Sequence, residues 1–266
     1  MKTGYQTEMI KSIFKKSFSW IEDKKKWFVL LFFTQLIYVG LMLFVVVVYF
    51  LKIMSHADVL LESISSITEE EIMSNSISHP LGLYSHYQSF LSAVVVMIVL
   101  SCVIYLLLNN VNWSITNKVV NRGKFLGFFS KYIIFTLIFT VPLFFIAWGM
   151  LRLITITTLQ TFFLSLLGVI VLVFWYFMCI SFGLIHKYKL KQIKEHLIKT
   201  FYIGCKKAYV LVPITVFIVA LLGVIGYLIY LASDIFPLMV VFIVLFILAL
   251  VWTRILCMAA TKEVIK

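Results

Sequence analysis

The sequence predicts an all-α, multi-pass membrane protein: a helical bundle of six transmembrane helices and amphipathic interfacial helices, with both chain ends in the cytoplasm. Two observations lead to this fold class. Hydrophobic residues make up 63% of the 266 residues and charged residues only 13%, with a mean hydropathy of +1.08, and one soluble core does not bury so much apolar surface. The apolar residues also form continuous runs, without the alternation of a lipid-facing barrel strand, which indicates helices.

Six apolar runs are long enough to cross the roughly 30 Å hydrocarbon layer, since a helix rises 1.5 Å per residue. They lie near residues 27–51, 90–108, 132–151, 157–185, 208–231 and 236–257. Together they predict a membrane domain at 27–258, with an external loop at 52–89, cytoplasmic segments at 109–131 and 186–207, and a cytoplasmic tail at 259–266. The fourth run is the longest, which predicts a tilted helix or one that extends beyond the bilayer.

The orientation of the spans follows from the positive charges. Of the 23 lysines and arginines, 21 lie in residues 1–26, 109–131, 186–207 or from Arg254 onward, and only Lys52 and Arg152 lie elsewhere. The positive-inside rule therefore places these segments in the cytoplasm, and the spans are expected to lie in the plasma (cell inner) membrane. Because the basic residues form separate juxtamembrane clusters rather than one domain face, no nucleic-acid partner is expected.

Residues 1–26 are predicted to form a cytoplasmic amphipathic elbow helix that leads into the first span. At 100° per residue, its apolar side chains and the small Ser17 fall on one arc, and its lysines and acids fall mainly on the opposite arc. Such a helix lies in the membrane interface with its lysines toward anionic headgroups. No cleavage site precedes Trp27, so this end is expected to stay uncleaved. The predicted membrane-interface residues are Ile10, Lys11, Ile13, Phe14, Lys15, Lys16, Phe18, Trp20 and Ile21.

A second interfacial element is predicted within 186–207. Its apolar stripe consists of Leu190, Ile193, Leu197 and Phe201, which recur at helical spacing. The segment 109–131 has no single apolar face, and we interpret it as a helix extension, a turn and a short re-entry.

A six-residue spacing recurs where three of the spans begin. In each case a phenylalanine precedes, by six positions, a lysine next to a span: Phe18 and Lys24, Phe125 and Lys131, Phe201 and Lys207. Either the chain contains three copies of one unit, or the spacing reflects the general placement of lysines before spans that start on the inside.

The external loop at 52–89 is acidic and contains His56, His79 and His86. A short amphipathic helix is predicted from Leu60 to Ile67, followed by a second that His79 and Pro80 end. The spacing of the histidines fits no ligand motif, so no metal ion is expected, and an ordered cap is favoured.

The spans offer little chemistry. Arg254 lies about a turn from the cytoplasmic end of the last span, where its side chain is expected to extend toward the headgroups. The uncharged polar residues of the spans are expected to form hydrogen bonds either between helices or to the helix backbone, and only sometimes to line a pathway. They are Thr34, Gln35, Ser101, Thr136, Thr140, Gln160, Ser165 and Thr215. No phosphate loop, metal cluster or catalytic histidine–carboxylate pair is recognisable, so neither an enzyme nor a cofactor is expected.

The six spans and the repeated Phe-x5-Lys entry resemble, in layout, uncharacterised six-helix membrane families of prokaryotes that share the membrane-domain plan of glycerophosphodiester phosphodiesterases. This resemblance implies a helical bundle with interfacial elbows, no assigned chemistry and, here, no attached phosphodiesterase domain. The layout is also similar to permease subunits of ABC-type exporters.

The predicted function is a non-enzymatic membrane scaffold or envelope-homeostasis component. Its expected partners are a bilayer with anionic headgroups and other membrane or cytoplasmic proteins. The alternative is a permease subunit of an ABC-type or other transporter.

Overall fold

The computed structural model describes residues 2–65, 80–121, 125–156 and 160–265, and every regular element in these ranges is helical. A π-helical turn at Tyr105–Asn109 precedes α4, and 3₁₀ turns at Ile185–Lys187 and Leu190–Gln192 precede α7. The all-α prediction is therefore confirmed for the described residues. The α-helices are α1 (Lys2–Asp23), α2 (Lys25–Ser65), α3 (Pro80–Ile104), α4 (Asn110–Val120), α5 (Phe125–Ile156), α6 (Gln160–Leu184), α7 (Ile193–Lys206), α8 (Ala208–Leu231) and α9 (Phe236–Val264).

Six helical stretches are long and apolar enough to cross a membrane, which confirms the predicted number within the described ranges. In the most apolar part of each stretch, at most 22% of the residues are buried inside the protein. Helices that are apolar all round are typical of membrane spans. The stretches are Lys25–Glu62, Tyr84–Val120, Gly127–Met150, Gln160–Lys187, Ala208–Leu231 and Phe236–Val264.

The chain divides into two compact units, one formed by residues 1–36 with 109–266 and the other by residues 37–108. In the first unit, α9 packs against α1, α4, α6 and α8. The buried side chains of α9 concentrate between Val251 and Val264, so the core surrounds its last turns. Residues 259–264, predicted as part of a tail, continue this helix, and Ala259, Ala260 and Thr261 are buried.

The second unit contains most of α2 and all of α3. Helix α2 continues to Ser65 instead of ending near residue 51, because residues 52–65 contain no glycine or proline to interrupt it. The separate short helix predicted from Leu60 is thus, in its described part, the end of α2. Helix α3 begins at Pro80, where proline is favoured because the first helical N–H needs no partner. Residues 66–79, with His79, lie outside the described ranges.

Candidate functional site

Helix α4 is a buried polar helix within the first unit. Nine of its eleven residues are buried, and it packs against α1, α5 and α9. Ser114 and Thr116 donate to the carbonyls of Asn110 and Asn112, four residues earlier, at 2.8 Å each. These hydroxyls are therefore satisfied within the helix, and the asparagine side chains are left to contact other helices.

Three side-chain hydrogen bonds attach α4 and the turn before it to α2, α5 and α9. Buried polar bonds between helices in lipid contribute about 0.6 kcal/mol each, so their main effect is to fix which side chains face one another. The bonds run from Asn112 Nδ2 to Gln35 Oε1 (2.9 Å), from Thr136 Oγ1 to Asn110 Oδ1 (2.7 Å) and from Arg254 Nη2 to Asn109 Oδ1 (2.8 Å).

Arg254 does not extend toward headgroups as predicted. Its guanidinium binds Asn109 and lies 5.1 Å from the centre of the Trp113 ring, an arrangement that attracts a cation to the face of the ring. The reason is that α9 continues to Val264, so Arg254 lies well inside the helix and beside the polar side of α4.

Part of this polar cluster has unused hydrogen-bonding capacity. Asn109 Nδ2, Asn112 Oδ1 and Asn117 Nδ2 are buried and have no hydrogen-bond partner among the described residues. Buried polar atoms in folded proteins are nearly always paired, so these three atoms are hydrogen-bonding capacity that the described residues leave unused.

A serine–histidine pair joins α6 to α7. Ser181 Oγ lies 2.8 Å from His196 Nε2, and both residues are fully buried. Burial lowers the pKa of His196 to about 4. A catalytic pair needs substrate access and a group that orients the base, yet His196 Nδ1 has no partner in the described part of the chain. We therefore interpret the pair as a neutral packing contact.

Helix α1 directs part of its predicted interface toward protein. Ile13 and Ser17 are fully buried, the Trp252 indole N–H donates to Ser17 Oγ at 3.2 Å, and Phe14 contacts the Phe217 ring edge-on at 5.3 Å. The apolar face of α1 thus packs on α8 and α9.

The rest of α1 leaves side chains available to a membrane surface. Phe18 stacks on Trp252 but remains 53% exposed, and Lys11 and Lys15 are exposed. Lys16 instead forms an ion pair with Glu263 at 2.7 Å. Ile10, Trp20 and Ile21 are half-buried. Contact of this helix with lipid, through these residues and the exposed ones, stays a prediction.

The stripe predicted to face the membrane at Leu190, Ile193, Leu197 and Phe201 is not the buried face of α7, and its contact with lipid stays a prediction. Leu190 and Phe201 are exposed, and Ile193 and Leu197 are half-buried. Polar residues occupy the buried face because their hydrogen bonds are made internally, as between Thr200 Oγ1 and the His196 carbonyl at 2.9 Å. The buried residues of α7 are His196, Thr200, Ile203 and Gly204.

Gly204 shows why α6 and α7 approach so closely. A Cβ at this position would lie 2.5 Å from Phe177 Cε1, nearer than real Cβ atoms come. Any larger residue here would push the ring aside.

Lysines connect the four basic segments of the first unit. The last carbonyls of a helix lack partners within it and attract cations, and Lys24 and Lys262 donate to the Lys118 and Val120 carbonyls of α4 at 2.9 and 3.2 Å. Lys131 donates to the Tyr188 carbonyl at 2.7 Å. With the Lys16–Glu263 pair, these bonds bring residues 1–26, 109–131, 186–207 and the end of α9 together.

In the second unit, the structure brings together two histidines of the segment that is predicted to be external. The Nδ1 atoms of His56 and His86 lie 3.4 Å apart, with ring centres at 5.7 Å, so the nitrogens point at each other in a long hydrogen bond. Among the described residues, no group of three or more His, Cys, Asp and Glu side chains is placed to hold a metal ion. The expectation of no metal stays a prediction.

The chain was compared with family models, curated proteins and solved structures, and none matches it. The layout resemblances to the phosphodiesterase membrane domain and to exporter permeases therefore stay predictions.

Sequence reasoning missed the cluster around α4, although one signal was present. Four asparagines follow an apolar span within nine residues: Asn109, Asn110, Asn112 and Asn117. No charged residue lies between Asn109 and Lys118. A helix that is polar but uncharged on several sides is suited to contact with several polar neighbours in lipid.

Proposed function

We propose that the chain is a non-enzymatic, multi-pass scaffold protein of a prokaryotic plasma membrane, with its basic segments in the cytoplasm. The observation that carries the proposal is that the four segments which the positive-inside rule assigns to one side also contact one another. If one segment lay on the opposite side, the roughly 30 Å hydrocarbon layer would separate it from its partners.

The bonding of α4 favours a static support over a moving carrier. Side-chain bonds of 2.7–2.9 Å hold this region to α2, α5 and α9. In alternating access, one group of helices moves against another, which would break such bonds in every cycle. A scaffold gains from the same bonds because they keep its surface constant.

The surface itself suits anionic membrane. Four lysines are exposed: Lys11 and Lys15 on α1, Lys191 in the turn before α7, and Lys199 on α7. Anionic lipid attracts each lysine near the surface by about 1 kcal/mol. Membrane or cytoplasmic proteins are the further partners of this face.

The alternative function is a permease subunit, and one observation favours it. A π-helical turn ends at Asn109, which binds Arg254 and whose buried amide nitrogen has no partner within the described ranges. Short π-helical turns are frequent at functional sites, and a charge within a span often marks a solute pathway.

Cysteine labelling tests the orientation. In a cysteine-free background, a membrane-impermeant maleimide added to intact cells should modify Tyr84→Cys and leave Lys15→Cys and Lys191→Cys unmodified, all three being exposed positions. Modification of either lysine position in intact cells would overturn the proposed topology.

Purification in mild detergent separates the two functions. If the protein is a scaffold, membrane or cytoplasmic proteins should co-purify with it, and their recovery should be the same with and without nucleotide. An ATPase recovered in stoichiometric amount, and released by ATP, would replace the scaffold with the permease.

A further inference from the structure

A polar pocket lies between α2 and α3 in the second unit. Its volume is about 820 Å³, within the range of ligand pockets. The two helices meet beside it, where the Nδ1 atoms of His56 and His86 lie 3.4 Å apart. Polar side chains of both helices line the pocket, among them Tyr49, Lys52 and His56 on α2 and Gln88, Ser89 and Ser92 on α3.

The pocket has a positive charge in its wall, and no carboxylate of the described residues lines it. Lys52 Nζ lies 5.2 Å from the centre of the Tyr49 ring, and this contact holds the ammonium group beside the pocket. The next acids along α2, Asp58 and Glu62, lie about 160° and 120° around the helix from His56, at 100° per residue. An anion in the pocket would therefore meet Lys52 and no opposing carboxylate of α2.

Two serine hydroxyls of the pocket are available to a ligand. Elsewhere in the spans, a serine hydroxyl donates to the carbonyl four residues earlier, as Ser165 Oγ does to Thr161 at 2.8 Å. Ser89 and Ser92 are exposed in the pocket and make no hydrogen bond to another described residue. Their O–H groups and the Lys52 ammonium are donors that several oxygens of one anion can share.

The pocket lies where apolar chain gives way to polar chain. On α2 its lining extends from Tyr49, inside the first apolar run, to His56, beyond the end of that run near residue 51. On α3 it extends from Ser85, before the second apolar run, to Val96 inside that run. Since the apolar runs account for the hydrocarbon layer, the pocket reaches the level of the headgroups, where phospholipids carry their phosphates.

We propose that the pocket between α2 and α3 binds an anion that carries a phosphate group, with the phosphate at Lys52, Ser89 and Ser92. The level of the pocket favours the headgroup of an outer-leaflet phospholipid, and a free phosphate ester offers the same chemistry. The leaflet rests on the proposed function, whereas the site itself is formed by the second unit alone. The proposal gives a role to Lys52, one of two basic residues outside the predicted cytoplasmic segments.

Native mass spectrometry of the full chain, released from detergent, tests the site with phosphatidylglycerol and diacylglycerol of identical chains. The parent should retain phosphatidylglycerol and release diacylglycerol, which lacks the phosphate. Lys52→Gln should weaken the retention of phosphatidylglycerol about fivefold. Lys26→Gln removes the same charge from an exposed position near the start of the same helix and should leave the retention unchanged.

A pocket-filling variant tests where the lipid binds. Ser89 lines the pocket and Ser55 on α2 does not, and both are exposed, so tryptophan at either position changes surface and not core. Ser89→Trp should lose phosphatidylglycerol, and Ser55→Trp should keep it.

Competition with excess glycerophosphate identifies the source of the phosphate. Displacement of phosphatidylglycerol from the parent would assign the site to free phosphate esters, because the headgroup phosphate alone would then suffice. Retention of the lipid would assign the site to a phospholipid whose chains also contribute.

Equal retention of phosphatidylglycerol and diacylglycerol by the parent would overturn the proposal. So would equal retention of phosphatidylglycerol by the two tryptophan variants, or an equal loss in Lys26→Gln and Lys52→Gln. Cysteine labelling that contradicts the orientation, with lipid still lost in Ser89→Trp, would remove the proposed topology and leave the phosphate site standing.

Discussion

Acidification should destabilise the fold through His196. Burial lowers its pKa from 6.5 to about 4, so between these values the unfolded chain binds a proton that the folded protein does not. Above pH 6.5 both states are neutral and the histidine contributes nothing to the pH dependence. As the pH falls from 6.5 to 4, the free energy of unfolding falls by about 1.4 kcal/mol per unit, or roughly 3 kcal/mol in all.

His196→Gln isolates this effect, because glutamine does not titrate but can still reach Ser181. At pH 7.5 the variant should be less stable by about 1 kcal/mol, since it loses the ring stacked on Phe135 at 4.1 Å. At pH 4.5 the variant should be more stable than the parent, because in the parent burial keeps His196 unprotonated at a pH where the unfolded chain binds a proton.

Thermal unfolding in detergent, followed by tryptophan fluorescence from pH 7.5 to 4.5, measures the difference. With about 2–4 °C per kcal/mol for a chain approaching this size, the parent should lose roughly 5–10 °C more than the variant, and the two curves should cross. Curves that stay parallel over the whole range would refute the assigned role of His196, since carboxylates elsewhere titrate equally in both proteins.

Two further predictions concern helix contacts. Gly183→Ala should cost about 1–3 kcal/mol, because its Cβ would lie 2.5 Å from Thr261 Cβ. In a thermal-unfolding cycle, Thr261→Gly should restore more of that loss than Thr261→Ala, because alanine removes the contacts at 2.6 and 2.8 Å but keeps the Cβ at 2.5 Å. Restoration by neither variant would contradict the clash. In the Lys16–Glu263 ion pair, 39% of the Lys16 side chain and 13% of the Glu263 side chain are exposed. A double-mutant cycle with Lys16→Gln and Glu263→Gln should therefore give a coupling energy below about 1 kcal/mol. A larger value would mean that the pair is shielded from solvent.

The sequence predicted the number and type of the spans because continuous apolar runs constrain a chain in lipid strongly. It also identified the apolar arc of α1, but that arc was expected to enter the membrane interface, and Ile13 and Ser17 on it are buried in the protein. Periodicity states which face is apolar but not what covers it, and here Phe217 and Trp252, more than 200 residues away along the chain, lie against that face.

The partners of the buried polar side chains could not be predicted from the sequence pattern for the same reason. Asn112 meets Gln35 across 77 residues and Asn109 meets Arg254 across 145, and no local spacing relates such partners. On α7 the apolar stripe did not reveal which face is buried, because Ser181, on another helix, hydrogen-bonds His196 Nε2 and allows a partly polar face to be buried.

The order in which these partners are made has a consequence for biogenesis. Asn109 leaves the ribosome 145 residues before Arg254, and at 5–20 residues per second this interval lasts roughly 7–30 s. During that time Asn112 can bind Gln35 and Asn110 can bind Thr136, while the bond between Asn109 and Arg254 is still missing from a polar helix in lipid. Truncation before Arg254 would leave the chain in that state, so we expect the last helix to complete the polar contacts of α4 only at the end of synthesis.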